Sequence, residues 1–249
     1  MGRLTRLEAQ GRHYREVNEQ LRALIVGGER EIEVHGVNGH RYLAAGMTGR
    51  NVTLRLYGVA GNDLACFMGP GIHVEVIGNA QDGVGNTMGA GRVVVRGHAG
   101  DIVGYAMRGG KIFVQTDVGY RVGIHMKAYR ERVPVIVIGG RAGAFLGEYM
   151  AGGVIIVLGL ERRGGSPVGS FLGTGMHGGV IYVRGGLDPR FLGQGAVIKE
   201  LEEEDRRVLG THLAEYASFF GLDHRSLLSE EFVKVVPRSH RPYGTLYAY

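Results

Sequence analysis

Methionines that recur at nearly constant spacing are the feature that most constrains the fold of this 249-residue chain. Seven of the eight stand 19 to 26 residues apart: Met47, Met68, Met88, Met107, Met126, Met150 and Met176. Short β-branched runs bounded by glycines accompany them, as in Gly178-Gly179-Val180-Ile181-Tyr182-Val183. Such runs are typical of strands, and a period near 20 residues leaves no room for a helix between them. The repeat therefore predicts a parallel β-helix.

Glycine supports the same interpretation, because 45 of the 249 residues are glycine and only 6 are proline. Glycine reaches the backbone angles of tight corners cheaply, and a hydrophobic share of 44% still permits a core. These numbers argue against a disordered Pro/Gly tract and against collagen. We predict a mainly β fold: a single right-handed parallel β-helix of about seven coils, each of about 19–26 residues.

The two ends of the chain differ from its middle. Residues 12–26 carry apolar side chains at helical spacing, and glycines become rare after Gly195. The acidic run Glu202-Glu203-Glu204-Asp205 is typical of a helix start, and an apolar stripe continues to Phe220. Gly210 interrupts that stripe, which argues against one continuous helix. We therefore predict a helical extension over 1–35, a glycine-rich β-helix over 36–195, and a C-terminal helical segment with an extended tail over 196–249.

Charge and cysteine content limit the classes of function. The net charge of +5 comes from 29 basic and 24 acidic residues without a basic run interleaved with aromatic residues. We therefore expect no nucleic-acid binding. One cysteine excludes an internal disulfide, and no apolar stretch is long enough to span a membrane or to act as a signal peptide. The expectation is a soluble, cytoplasmic protein that binds no membrane.

The glycine motif Gly173-Thr174-Gly175-Met176-His177-Gly178 matches G-x-G-x-x-G, but it precedes a strand. A dinucleotide site follows a strand and opens a helix, so we predict no cofactor binding there. The ten histidines show no metal-binding spacing, and Cys66 lies at a core position of the repeat without a base nearby. We accordingly predict no catalytic, cofactor-binding or metal-binding residue in this chain.

Two aspartates are the best candidates for paired carboxylates. Asp82 and Asp101 stand one repeat apart, so we expect them on adjacent coils with Arg92, Arg96 or Arg108 as partners. A structural corner network is a better explanation than a catalytic pair. Glu148 replaces the small or polar residue found at its position elsewhere in the repeat, which suggests a specific contact.

Several motifs in consistent order resemble the glycine-rich β-helical GXGXG domain at the C-terminal end of the glutamate synthase large subunit. The similarity extends from about Asn38 to Val183. Its segments are Asn38-Gly39-His40-Arg41, Gly58-Val59-Ala60-Gly61, Gly78-Asn79-Ala80-Gln81-Asp82, Glu148-Tyr149-Met150-Ala151-Gly152-Gly153 and Gly175-Met176-His177-Gly178-Gly179. Asn38, Arg41, Asp82, Asp101, Glu148 and His177 are the resulting motif or interface candidates.

The resemblance implies a non-catalytic role. In the multidomain enzyme this β-helix braces a glutamine amidotransferase against a flavin-bearing synthase barrel and helps frame the ammonia path. Neither of those parts is recognisable here, so the chain resembles a stand-alone subunit of the split, archaeal-type enzyme. Its expected partners are amidotransferase and synthase chains, the latter carrying FMN and an iron–sulfur cluster. Self-association into a homo-oligomer is left open.

Two alternatives remain at this point. A related β-helix occurs as a subunit of formylmethanofuran dehydrogenase, so the parent complex could be a different oxidoreductase. The chain could also be an independent protein that acts on carbohydrates or small molecules, with Asp82, Asp101 or Glu148 on its surface.

Overall fold

One 11-stranded sheet organises the molecule. The computed structural model describes residues 4–160 and 164–239. The first nine strands lie in the sheet in chain order, and each is parallel to the next. They are β1 (Leu4–Glu8), β2 (Glu31–His40), β3 (Val52–Ala60), β4 (Ile72–Ile77), β5 (Arg92–Val95), β6 (Lys111–Val114), β7 (Val135–Ile138), β8 (Ala151–Val157) and β9 (Gly178–Arg184).

The parallel strands belong to a β-solenoid of about six turns, which confirms the predicted mainly β fold built from successive coils. The predicted count of about seven coils is not confirmed. The right-handed sense and the division into three segments stay predictions.

Identical register positions stack inside the solenoid. Val76 pairs with Val95, each residue of this column pairs with the next, and the column continues through Val114, Ile138 and Val157 to Val183. The seven repeating methionines are also buried, each no more than 2% exposed. The repeat in the sequence thus corresponds to ladders of like side chains in one continuous core.

Each coil also contains a tight turn in which every second residue has left-handed backbone. In one turn these residues are Ile102, Gly104 and Ala106, with φ of 51°, 69° and 50°. The amides of Ile102 and Ala106 donate to the next coil, at Tyr120 O and Ile124 O, both at 2.8 Å. The amide of Gly104 donates in the opposite direction, to Val84 O at 2.7 Å. Alternating angles therefore let each turn bond to both neighbours.

We call the surface that these turns form the turn face. Its segments are residues 41–47, 62–68, 82–88, 101–107, 120–126, 144–150 and 170–176. The residues two positions apart in each segment share the same left-handed pattern. Six intervals separate the seven segments, in agreement with about six turns of solenoid.

The terminal helices pack on the solenoid and do not form separate extensions. Helix α1 (Tyr14–Val26) buries Val17 and Leu21 in the solenoid core, and its Asn18 Oδ1 accepts the amide of Ala44 at 3.2 Å. Helix α2 (Glu203–Phe220) is continuous through Gly210 and is followed by the short α3 (His224–Leu227). The predicted helical extensions are not confirmed, because strands from both ends join the sheet.

The last strand of the chain runs antiparallel to the stack. A short 3₁₀ turn at Pro189–Phe191 precedes β10 (Ala196–Lys199), and β11 (Phe232–Pro237) pairs antiparallel with both β9 and β10. The parallel ladder therefore ends at β9, where β11 runs in the opposite direction and lies between β9 and β10. Residues 240–249, most of the predicted extended tail, lie outside the described residues.

The outward face of the sheet changes character along the stack. Residues at equivalent positions of successive strands pair with one another and form a column across the sheet. One such column begins with Arg6, Glu33, Arg55 and Glu75 and continues into Val94 and Phe113. The apolar part is buried under α2, where Leu209, Leu213, Tyr216 and Ala217 complete a second core cluster. The charged part, on β2 to β4, is linked by ion pairs such as Arg55–Glu31 at 2.7 Å. Among the described helices, none is long and apolar enough to cross a membrane.

Candidate functional site

The turn face has positions of two kinds. The middle left-handed residue of each turn points inward, so a Cβ on Gly104 would overlap Ile136 Cδ1 and one on Gly123 would overlap Ile155 Cδ1. The outer two left-handed residues point outward and carry side chains such as Phe67, Arg121 and Tyr149. The middle position holds alanine in the first two turns, as Ala44 and Ala65, and glycine in the other five, while the outer positions can present side chains at a cost in backbone strain.

Asp82 and Asp101 lie on adjacent coils, as their spacing predicts, and form a ladder. Asp82 Oδ1 accepts the amide of Asp101 at 2.8 Å, and Asp101 Oδ1 accepts the amide of Tyr120 at 2.8 Å. Asn62 Oδ1 begins the ladder by accepting the amide of Asp82 at 3.3 Å. These side chains tie each coil to the next, and one oxygen of each carboxylate is used in that way.

The prediction that arginines pair with these aspartates was wrong. Arg92 donates to Glu215 and contacts His73, because it points toward α2. Arg96 donates to Glu75 and to Phe219 O. Arg108 donates to His125 O at 3.4 Å. Backbone amides take the place of the expected cations, so no arginine is needed to stabilise the aspartate ladder.

Glu148 makes the specific contact that its unusual position in the repeat suggests. It is 9% exposed, and its Oε2 accepts from Arg121 Nε at 3.0 Å. Arg121 also lies 4.8 Å from the centre of the Phe145 ring. Arg121 was not among the candidates taken from the sequence. It stands one repeat before Phe145, and both are the first left-handed residue of their turn. This ion pair joins the fifth and sixth of the seven segments of the turn face.

The other candidates are dispersed. His177 is half-buried on the strand side of its turn, where its amide donates to Met150 O. Asn38 is exposed at a register shift near the end of β2, where its amide donates to His40 Nδ1 at 3.0 Å. Arg41 is exposed next to the first turn. The structure therefore brings Asp82, Asp101 and Glu148 to one face but does not gather the six candidates into one site.

A second cluster, which sequence reasoning missed, fixes α2 to the sheet. Glu215 on α2 accepts from Arg92 Nη1 at 3.0 Å and from Lys111 Nζ at 2.6 Å. Burial alone would raise the pKa of Glu215, but hydrogen bonds from Lys111 and Arg92 outweigh it and lower that pKa. Burial lowers the pKa of the neighbouring His73 to about 4, with the charge of Arg92 acting in the same direction. The clamp that Arg92 and Lys111 form on Glu215 could have been predicted from the sequence, because His73, Arg92 and Lys111 occupy equivalent positions of β4, β5 and β6.

Nucleophilic and metal chemistry find little support in the described residues. Burial raises the pKa of the Cys66 thiol to about 11, so the thiol is protonated at neutral pH. No group of three metal-ligating side chains occurs within residues 4–160 and 164–239. A single cysteine also cannot supply the thiolates that hold an iron–sulfur cluster.

A cavity of about 440 Å³ lies at the C-terminal end of α2. Its polar groups are engaged by the fold: Asp117 Oδ1 accepts the amide of Arg141 at 2.6 Å, and Tyr216 Oη donates to Gln115 O at 3.0 Å. Phe220 and Leu222 line the apolar side. The lining offers no acid and base in contact, so it gives no basis for a catalytic assignment.

Comparison with protein families gives one match over most of the chain. The model of the family described as GXGXG motif matches residues 23–238. An uncharacterized protein of Methanocaldococcus jannaschii is 46% identical over 250 residues, which covers 97% of this chain and 95% of that protein.

Two plant enzymes match a shorter region. Ferredoxin-dependent glutamate synthase 2, chloroplastic, of Arabidopsis thaliana is 32% identical over 133 residues. Ferredoxin-dependent glutamate synthase 1, chloroplastic/mitochondrial, of the same plant is 33% identical over 133 residues. In each case the match covers 51% of this chain and 8% of the enzyme. The similarity therefore concerns one domain of these much longer proteins.

Proposed function

This chain belongs to the GXGXG motif family, and from that membership we propose that it is the non-catalytic β-helix subunit of a glutamate synthase. In this role it braces a glutamine amidotransferase chain and a flavin-dependent synthase chain, and helps frame the ammonia path between them. The product is L-glutamate, made from glutamine and 2-oxoglutarate. The observation that carries the proposal is the similarity to two glutamate synthases within a family match over residues 23–238.

The stand-alone form is supported by the M. jannaschii relative, of which the alignment covers 95%. FMN and the iron–sulfur cluster are assigned to the synthase partner. The lone Cys66, buried and with a raised thiol pKa, suits neither a cluster ligand nor a nucleophile. This chain contributes shape and surface, and the partners contribute the chemistry.

The mechanical part of the role follows from how the coils are joined. Every turn after the first donates hydrogen bonds to the chain segments on both sides, and the strands add a parallel ladder. A body of this kind resists bending because each coil is held by backbone bonds and by interlocked core side chains. It can hold two partner chains at a fixed separation, as the passage of ammonia between two active sites requires.

The uncovered charged part of the sheet is the surface that we assign to a partner chain. It presents Glu33, Arg55 and Glu75 from adjacent strands in alternating charge. Arg55 links Glu31 at 2.7 Å and Glu75 at 3.5 Å, so its guanidinium lies at the centre of this surface. Alternating charges suit specific docking, since a wrong partner or a shifted register brings like charges together.

Co-expression with the amidotransferase and synthase chains of the same organism tests the proposal. We expect the three chains to elute together and to form glutamate from glutamine and 2-oxoglutarate. When this chain is omitted, less glutamate should form from 2-oxoglutarate for each glutamine hydrolysed. Arg55→Glu should weaken assembly, while Arg207→Glu on the exposed side of α2 serves as the matched control. A chain that elutes apart from the others, with their coupled activity unchanged, would overturn the proposal.

A further inference from the structure

The outer positions of the turn face carry aromatic residues on strained backbone. Phe67, Tyr149 and Phe171 have φ of 56°, 52° and 64°, and they are 64%, 38% and 53% exposed. The same positions hold glycine in other coils, as at Gly83 and Gly175, so the turn does not need a ring there. An aromatic residue in left-handed backbone costs free energy, and an exposed ring returns little of it to the monomer. This combination indicates that the rings act outside the monomer.

The rings form a strip along the solenoid. His125 stacks on Tyr149 with centroids 5.4 Å apart and packs edge-on against Tyr105 at 6.0 Å. Phe145 stacks on Phe171 at 4.8 Å, across the turn face from Tyr149. Because stacked rings cover each other's faces, the strip presents mainly ring edges to solvent. Ring edges suit packing against another protein surface better than stacking on a sugar or a base.

Charged residues flank the strip with opposite signs on its two long edges. Asp82 and Asp101 stand immediately before the first left-handed residue of their turns. Arg108 and Lys127 stand immediately after Met107 and Met126, at the opposite end of theirs. All four side chains are exposed. One edge is therefore acidic and the other basic near the middle of the strip, with Arg41 two coils away on the acidic side.

We propose that the turn face docks a second copy of this chain, with the two solenoids parallel and side by side. A two-fold axis along the strip brings the acidic edge of one protomer against the basic edge of the other, so that Asp101 faces Arg108 twice. A two-fold axis across the strip would bring acidic edge to acidic edge, which disfavours the antiparallel arrangement. The inference is independent of the proposed parent complex.

The length of the turn face suits a dimer interface. Six coil spacings of about 4.8 Å make the turn face about 29 Å long. A standard interface buries ~800 Å² on each partner, which corresponds to a patch about 28 Å across. The exposed rings at the centre and the charged edges outside them match the usual arrangement of an apolar core with a polar rim.

Glycine substitutions test the proposal without disturbing the turn, because glycine adopts left-handed backbone freely. We expect sedimentation equilibrium of the full chain to show a dimer, and Phe67→Gly and Tyr149→Gly each to raise its dissociation constant by at least about tenfold. Circular dichroism and cooperative unfolding of the variants should match the wild type. Tyr129→Ser is the control, since Tyr129 is 57% exposed but lies outside the turn face.

Charge reversal tests the parallel arrangement. Asp101→Arg and Arg108→Glu should each weaken self-association, because each variant places like charges on both facing edges. Mixing the two variants should restore a dimer that contains one copy of each. A monomeric wild type, a dimer insensitive to the glycine variants, or a mixture that stays dissociated would each overturn the proposal, as would a turn face occupied only by a different chain.

Discussion

Three residues in every turn hold left-handed backbone, and the middle one points toward the core. In five successive coils this residue is Gly85, Gly104, Gly123, Gly147 and Gly173. For the first four, a Cβ would meet the Cδ1 atom of an isoleucine on a strand of a neighbouring coil. The alternation of glycines in the family motif is thus explained by two requirements: left-handed angles at every second residue, and no inward space at the middle one.

Replacing Gly104 separates these two requirements. We expect Gly104→Ala to lower the free energy of unfolding by about 2–4 kcal/mol, from backbone strain and overlap with Ile136 together. Gly186→Ala is the matched control, because Gly186 also has positive φ but has open space around it. It should lose only about 1–2 kcal/mol. Equal losses in urea unfolding would show that packing at the middle position does not matter.

The neutral, half-buried His73 makes stability depend on pH. Its folded pKa of about 4 lies below the ordinary value of 6.5, so the unfolded chain takes up the proton first as the pH falls. The corresponding stability is present above pH 6.5 and is lost between pH 6.5 and about 4. After allowance for partial exposure, we expect His73 to contribute on the order of 1–2 kcal/mol to this loss.

Urea unfolding of the wild type and of His73→Gln across that window measures this contribution. Glutamine can still accept from Arg92, so the clamp on Glu215 should remain. The variant should show a shallower loss of stability than the wild type. Parallel curves for the two proteins would contradict the assignment to His73.

At the scale of elements, α2 decides how the sheet is covered. Its apolar stripe could be recognised in the sequence, but its docking place was not predicted. A signal was present: Ile72–Val76 alternates apolar and charged residues, while Val93-Val94-Val95 and Val135–Ile138 are continuously apolar. Continuous apolar strands indicate burial on both faces, hence a covering element over β5 to β8.

The return of the chain as β11 could not be predicted in the same way. Phe232 pairs with Arg184 of β9, 48 residues earlier, and no local pattern specifies an antiparallel partner at that distance. The same holds for the contacts of Arg92 and Arg96, because both lie toward a helix whose position depends on the whole fold. Sequence patterns identified the repeat and the buried methionines, which depend on local periodicity.

Substitution of Gly210 tests whether α2 requires a glycine in its interior. It lies inside the helix, and a Cβ there would meet nothing within 4 Å. We expect Gly210→Ala to raise the free energy of unfolding by about 0.5–1 kcal/mol, because alanine has the higher helix propensity. Thermal or urea unfolding measures the change, with Ala214→Gly as the reverse substitution on the exposed side of the same helix. A loss of stability on Gly210→Ala would show that the glycine is required.

Asp205 joins three elements at the start of α2. It accepts from the amide of Glu202 at 2.7 Å, from Tyr182 Oη of β9 at 2.5 Å and from Lys234 Nζ of β11 at 2.7 Å. We expect Asp205→Ala to lower the free energy of unfolding by about 2–4 kcal/mol, because it removes the acceptor shared by the Tyr182 hydroxyl, the Glu202 amide and the Lys234 ammonium, which keeps only the longer ion pair with Glu202 at 3.4 Å. Glu204→Ala, one position earlier and exposed, should change it by less than about 0.5 kcal/mol. Comparable effects of the two substitutions would contradict this account of the junction.

At the scale of the whole molecule, the solenoid is closed at both ends and open along its sides. Helix α1 packs Val17 and Leu21 against the first coil, and the antiparallel pair of β10 and β11 joins β9 at the last coil. Capped ends prevent uncontrolled stacking of solenoids end to end. The lateral surfaces, which are the turn face and the charged part of the sheet, are thereby left for specific contacts. This distribution suits a structural subunit that holds other chains.

The most direct test of that role is purification of the tagged full-length chain at its native expression level, followed by identification of the bound chains and cofactors. Our account predicts a glutamine amidotransferase chain and a synthase chain in constant ratio to this one, with FMN and iron in the purified complex. Recovery with a molybdenum- or tungsten-bearing chain, or without either predicted chain, would contradict it.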